Sequence, residues 1–325
     1  MGIFTNLGAW LAPAAPVDAE MRRVIEHAVQ SVDPRMVLVS GYERKLAPAV
    51  GHALAYCDGL VAAIPGPIDI NVQAFGADPL VHAFFAAPDD IGRMLGASRE
   101  VKQFVADANH LESDAFYAMI GMRRKEKIVL GLEMHGDLIQ EGMPQRLLYF
   151  GDHTLHGLSV DLDVTRYLLR QASFDSLAKG FAAYLDDLRG KRQDLHQAWE
   201  QERSLSRSAA PAEVASLHAQ RRLELGQRMR AAAESMEPGH VLDAFCAWLA
   251  APETRLHLVE TSVAVDRLGV MADPARDEPN VQTLSFPELV GRDRRRWIVL
   301  LTRISRTDAL RAQEASREAN RYLII

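Results

Sequence analysis

Apolar residues recur along this chain at two periods, and the points where the period changes divide it into blocks. Met21, Val24, Ile25, Ala28, Val29 and Val32 stand at helical spacing behind Asp18, a good N-cap, and predict a helix that ends at Asp33-Pro34. The apolar run over residues 36–39 reads as a short buried strand. A second helix is expected from Pro48, in its first turn, to Ala63, before Pro65-Gly66-Pro67 breaks the chain. Ile68, Ile70 and Val72 alternate with polar residues as in a short strand. Asp78-Pro79 opens the next helix with a cap and a proline at the first helical position, and short helices are expected over 89–95, 98–108 and 113–124.

The period then drops to two. Ile128, Leu130, Leu132 and Met134 alternate with Val129, Gly131, Glu133 and His135, which predicts a strand with one apolar and one wet face. A turn around Gly142-Met143-Pro144 would send back a return strand beginning at residues 147–150. From Val164 the pattern is helical again. Phe174, Leu177, Phe181, Tyr184, Leu188, Leu195 and Trp199 form one stripe, and Val214, Leu217, Leu225, Met229 and Met236 form a sparser one after the small-residue turn at 206–211. Two long charged helices joined by a short turn make an antiparallel helical hairpin. A short apolar helix is expected over 241–249. Strands follow at Leu256 and Leu258 (extended by Val263 and Val265), over 281–286 and over 297–304, with a last helix over 307–321.

Helices, hairpin, helices, meander, helix is an α+β order. The expected fold is an antiparallel sheet built from the two β blocks, with helices packed on it and the long helical hairpin inserted between them. The segments are an N-terminal arm (1–16), a helical region ending in the first β-hairpin (17–160), the helical hairpin with the short apolar helix (161–250), and the meander with its C-terminal helix (251–325). They are compatible with one composite domain.

Composition narrows the function classes. The 325 residues are 48% hydrophobic and 25% charged, enough to bury a core. A net charge of −6 disfavours a protein that coats nucleic acid with its whole surface. Cys57 and Cys246 stand far apart in apolar helical contexts, which fits a reducing compartment rather than a disulfide framework. No stretch reaches the roughly 18–20 apolar residues of a membrane span. The arm over 1–16 lacks the charged and apolar regions of a signal peptide, and Asn6 stands where a myristoylation signal needs Ser or Thr. The expectation is a cytoplasmic protein, and the excess of arginine over lysine reads as the codon usage of a GC-rich bacterium.

No phosphate loop, Gly-rich dinucleotide turn, HExxH, CxxC or GxSxG motif occurs, so no cofactor is expected from motifs. Three constellations remain. Glu133, His135 and Asp137 share a strand face, and a turn near residue 143 would bring Asp152 and His153 beside them. Glu133, His135, Asp152 and His153 then make a candidate site for a divalent metal, and Glu133, His135 and His153 are candidate catalytic groups. The competing reading is the wet face of a half-buried hairpin. Arg292, Arg294, Arg295 and Arg296, followed by Trp297, make a candidate anion- or partner-binding tip, and Arg123, Arg124, Lys125 and Lys127 form a second basic run that would join it if both β blocks share a sheet. The competing reading is a solvated turn with Trp297 in the core. The helical hairpin has a narrow apolar stripe between charged flanks, as a two-helix contact needs. The leading expectation is a non-enzymatic scaffold, adaptor or regulatory protein that self-associates or binds a protein partner through this hairpin and the arginine tip. The alternatives are a metal-dependent hydrolase of a phosphate-containing substrate, and nucleic-acid or anion binding through the arginine tip.

Overall fold

The computed structural model describes residues 17–135, 138–208, 212–272, 281–292 and 295–322. In chain order the helices are α1 (Ala19–Val32), α2 (Tyr42–Ala62), α3 (Val72–Ala77), α4 (Pro79–Phe84), α5 (Pro88–Ala97), α6 (Arg99–Ala106), α7 (Leu162–Ser208), α8 (Ala212–Glu234), α9 (Pro238–Leu249) and α10 (Arg306–Tyr322). The strands are β1 (Ile68–Asp69), β2 (Ala115–His135), β3 (Leu138–Ser159), β4 (His257–Val265), β5 (Gln282–Val290) and β6 (Arg296–Ser305). The fold is α+β. No helix among the described residues is long and apolar enough to cross a membrane. Two compact units form, Met1–Ala55 with Asp175–Pro252 and Tyr56–Phe174 with Glu253–Ile325. Each is discontinuous in sequence, whereas the segments read from the sequence are continuous.

The second unit holds one sheet in the order β3-β2-β6-β5-β4, antiparallel throughout, with β1 parallel to β6. The two β blocks therefore share a sheet, joined where Ala115–Met122 pairs with Ile298–Ser305. Leu284, Phe286, Phe116, Ala118, Ile120, Met122, Ile298 and Leu300 turn to one face, where Val81, Phe84, Ile91, Leu95, Val101, Ala309 and Ala312 of the helices cover them. Val299 and Leu301 turn to the other face, against Val61, Ile64 and Leu169. Burial on both faces is why β6 reads as a continuous apolar run rather than an alternation. Two glycines permit the close approaches. A Cβ on Gly66, whose φ is +111°, would lie 2.3 Å from the Leu301 carbonyl oxygen, and one on Gly96 would lie 2.6 Å from that of Ala312, where α5 meets α10.

The first β block departs from the sequence reading in three ways. Residues 115–124, expected as helix, are strand, because Ala115–Met122 pairs with β6 and Arg123 and Arg124 pair with β3. The strands pair as far as His135 with Leu138, so the reversal does not lie near 143. Gly142 (φ +75°) instead lies at a register shift, where Gly131 opposes Met143 and Leu132 opposes Glu141. The Gly-Met-Pro signal thus marks a bulge, a use of glycine that resembles a turn in sequence. Finally, two residues of the stripe expected to be buried are open: Ile128 and Leu130 are 75% and 76% exposed. Beyond Met122 the ribbon loses β6, and burial on that face ends at Leu148. Elsewhere, residues 34–38 form a 3-10 turn instead of a strand, and α2 begins at Tyr42 with Pro48 inside it.

The first unit is helical. Ile25, Val29 and Val32 of α1, Leu46 and Val50 of α2, Leu177, Phe181 and Leu185 of α7, and Val241, Phe245 and Leu249 of α9 are all buried. Phe181 lies 5.0 Å from the Phe245 ring and 5.5 Å from that of Trp248, whose indole N–H donates to the Leu177 carbonyl at 3.0 Å. Asp33, only 3% exposed, accepts from the Arg35 guanidinium at 2.6 Å, the Arg35 amide at 3.0 Å and Arg189 at 3.2 Å. The side-chain bond from Arg35 holds this carboxyl below its ordinary pKa, against the opposing effect of burial.

Candidate functional site

The helical hairpin is formed by α7 and α8. Its root is fixed by the buried Leu177, Phe181 and Leu185 and by the Arg189 bond to Asp33. From Asp186 to Arg207 and from Glu213 to Ser235 no described residue is buried. At 1.5 Å per residue, the α7 part of this arm extends about 33 Å. Its half-buried positions still follow a heptad: Ala215, His218, Arg222, Leu225, Met229 and Ala232 on α8, and Leu188, Leu195, Trp199, Glu202 and Ser206 on α7. His218 Nδ1 donates to Glu202 Oε2 at 2.6 Å, and Arg221 stands 3.9 Å from the other oxygen of the same carboxylate. Nearer the root the seam opens into a cleft of about 660 Å³, with Leu188, Leu195, Ala198, Leu225, Ala231 and Ala232 on its walls and Lys191, Asp194 and Arg228 also lining it. Leu205, Val214, Leu217 and Leu223 are 49%, 41%, 47% and 67% exposed. The arm is a pair of helices whose apolar seam is left without a buried residue among the described residues.

The His and carboxylate candidates do not converge. Glu133 opposes Gln140 and His135 opposes Leu138, at the far end of the ribbon, whereas Asp152 and His153 lie between Gly151, opposite Arg123, and Thr154, opposite Gly121. The ten residues from Arg123 to Glu133 span about 33 Å of strand. The cause is the register, which pairs His135 with Leu138, and Asp137 lies outside the described residues. His153 Nε2 donates to the Phe84 carbonyl at 2.9 Å and its ring stacks on Phe85 at 4.8 Å. Burial pushes its pKa below the ordinary value, as for a core histidine kept neutral. Asp152 accepts from Lys125 at 2.9 Å, and this bond lowers its pKa. Among the described residues no group of three or more His, Cys, Asp or Glu is placed to hold a metal ion.

The two basic runs do meet, because β2 lies beside β6. Arg296 donates to Glu288 at 2.9 Å, and Arg124 stands 3.8 Å from the other oxygen of that carboxylate, which is 1% exposed. Lys125 and Arg123 face Asp152, Arg146 bonds Glu126 at 2.5 Å, and Lys127 sits over the Tyr149 ring at 5.6 Å. Trp297 packs against Val299 and Leu301 rather than standing open for stacking. Arg292 and Arg295 are exposed, and Arg294 lies outside the described residues. The sequence reading missed Glu288, although period two places it inward with Leu284 and Phe286. It also missed Asp33, which was read only as a helix end.

Comparison of the chain with protein-family models, with curated proteins and with solved structures finds no match.

Proposed function

We propose that this protein is a non-enzymatic scaffold or adaptor of the bacterial cytoplasm that works by protein association, with the α7–α8 arm of a second copy as the first partner. The observation that carries this reading is the arm itself: a heptad-spaced pair of helices in which no described residue is buried, split by a cleft with apolar walls. Two such pairs bury their seams by forming a four-helix bundle. The cleft is lined by charges of both signs, Lys191 and Arg228 against Asp194, as suits a two-fold contact in which one patch meets itself.

The test is light scattering coupled to size exclusion, on the intact chain and on the Ala198→Arg/Ala231→Arg variant. Both substitutions keep good helix formers and fill the cleft with charge. A dimeric intact chain and a monomeric variant of unchanged helicity support the reading. A monomeric intact chain at all concentrations, or a variant that still dimerises, removes the arm as a self-association device.

A further inference from the structure

A second concavity lies in the sheet unit and is unrelated to the arm. It has a volume of about 390 Å³, within the range of about 300–1,000 Å³ usual for small-molecule sites. One wall is the end of α4 and the residues after it, His82 to Ala86; another is Leu147 to Phe150 of β3. The segment Val265 to Gly269 closes it, with Gln282 and Leu284 of β5.

This closing segment is preformed. Asp266 Oδ1 accepts from the amides of Leu268 and Val270, both at 2.8 Å. The Leu148 amide donates to the Gly269 carbonyl at 2.8 Å, and that of Met271 to the Arg146 carbonyl at 2.7 Å. At Gly269, with φ +80°, a Cβ would lie 2.9 Å from the Leu148 carbonyl oxygen, so the close approach of the segment to β3 depends on glycine. A wall tied down in this way costs little to order when a ligand enters.

The lining defines the ligand. Phe85, Leu148, Tyr149, Phe150 and Leu284 supply an apolar, aromatic interior, while His82, Arg267 and Gln282 are polar groups on the same lining. Arg267 is exposed and makes no ion pair among the described residues. The neighbouring Asp266 directs its Oδ1 to backbone amides. On the outer side Lys127 sits over Tyr149 and adds positive charge near this wall. An apolar cavity lined by a guanidinium that has no ion pair among the described residues selects a molecule with an aromatic body and an anionic head. We propose that this cavity is a binding site for small aromatic carboxylates, with Arg267 holding the carboxylate.

The experiment is calorimetric titration of the full chain with 2-naphthoate, beside the neutral isostere 2-naphthalenemethanol. Three proteins are compared: wild type, Arg267→Gln, and Ala86→Trp, which puts a large ring at an exposed lining position. Loss of one charge-assisted contact weakens naphthoate by about tenfold in Arg267→Gln. The neutral alcohol binds wild type about tenfold more weakly than naphthoate does and is indifferent to Arg267→Gln. Ala86→Trp abolishes binding of both while its far-UV spectrum matches wild type. Absence of binding to wild type at millimolar naphthoate, equal binding of the alcohol, or undiminished binding by Ala86→Trp would each overturn the proposal. Because neither substitution touches α7 or α8, the result is independent of the oligomeric state.

Discussion

Replacing Asp33 by Asn tests how the arm is rooted. The carboxylate is 3% exposed and accepts from two guanidinium groups and one amide, and Arg189 stands on α7 just past Leu185, its last buried residue. A hydrogen bond to a charged group contributes about 1.5–3 kcal/mol. Asn keeps one acceptor oxygen, and Arg35 and Arg189 are 49% and 41% exposed, so both recover water once the charge is gone. The expected cost is therefore about 2 kcal/mol rather than the 3–5 of breaking a fully buried pair. The assay is urea unfolding followed by far-UV circular dichroism and by tryptophan fluorescence. In a double-mutant cycle Arg189→Met should couple to Asp33→Asn by at least about 0.5 kcal/mol. The pH dependence carries a definite sign. The folded-state pKa of Asp33 lies below the ordinary 3.8, so its contribution is complete above that value and disappears as pH falls through the lower, folded value. Wild type and Asp33→Asn should thus converge in stability in acid. A cost below about 0.5 kcal/mol at neutral pH, or a difference that persists undiminished into strong acid, would refute the argument that this charge clamps the root.

Two further outcomes follow from the same reasoning. Glu288→Gln removes the buried charge between Arg124 and Arg296 and should destabilise the sheet unit by about 2 kcal/mol in urea; an unchanged midpoint would mean that these arginines do not depend on it. Burial pushes the Cys57 thiol up to about 12, whereas Cys246 is raised less and is partly exposed. Iodoacetamide near neutral pH should therefore modify Cys246 before Cys57 in the folded protein and both in urea, and equal rates in the folded protein, read by peptide mass mapping, would contradict that burial.

Local signals were legible. Asp78 caps α4, and its carboxylate accepts from the Leu80 amide at 2.8 Å, as Asp78-Pro79 implies. The stripe of α7, the segments of α9 and α10 and the runs of β5 and β6 were readable because period and capping depend on neighbours a few residues away. Residues 115–124 were not, since their alanines and methionines suit a helix, and only the pairing with β6 and β3 commits them to a strand. The turn was misplaced because glycine serves bulges and turns alike, and that single displacement separated Glu133 and His135 from Asp152 and His153.

What the sequence by itself determined is most of the helices, the strands of the second β block and the α+β class: hydrophobic period, caps and breakers act over a few residues and survive without tertiary partners. Only the tertiary structure decided that both β blocks share one sheet, that Arg124 and Arg296 meet at Glu288, and that Ile128 and Leu130 face solvent. Those outcomes depend on strand register and on where covering helices end. Register changes which side chains meet with each residue of slip, so it is set by the whole set of long-range contacts rather than by any local run.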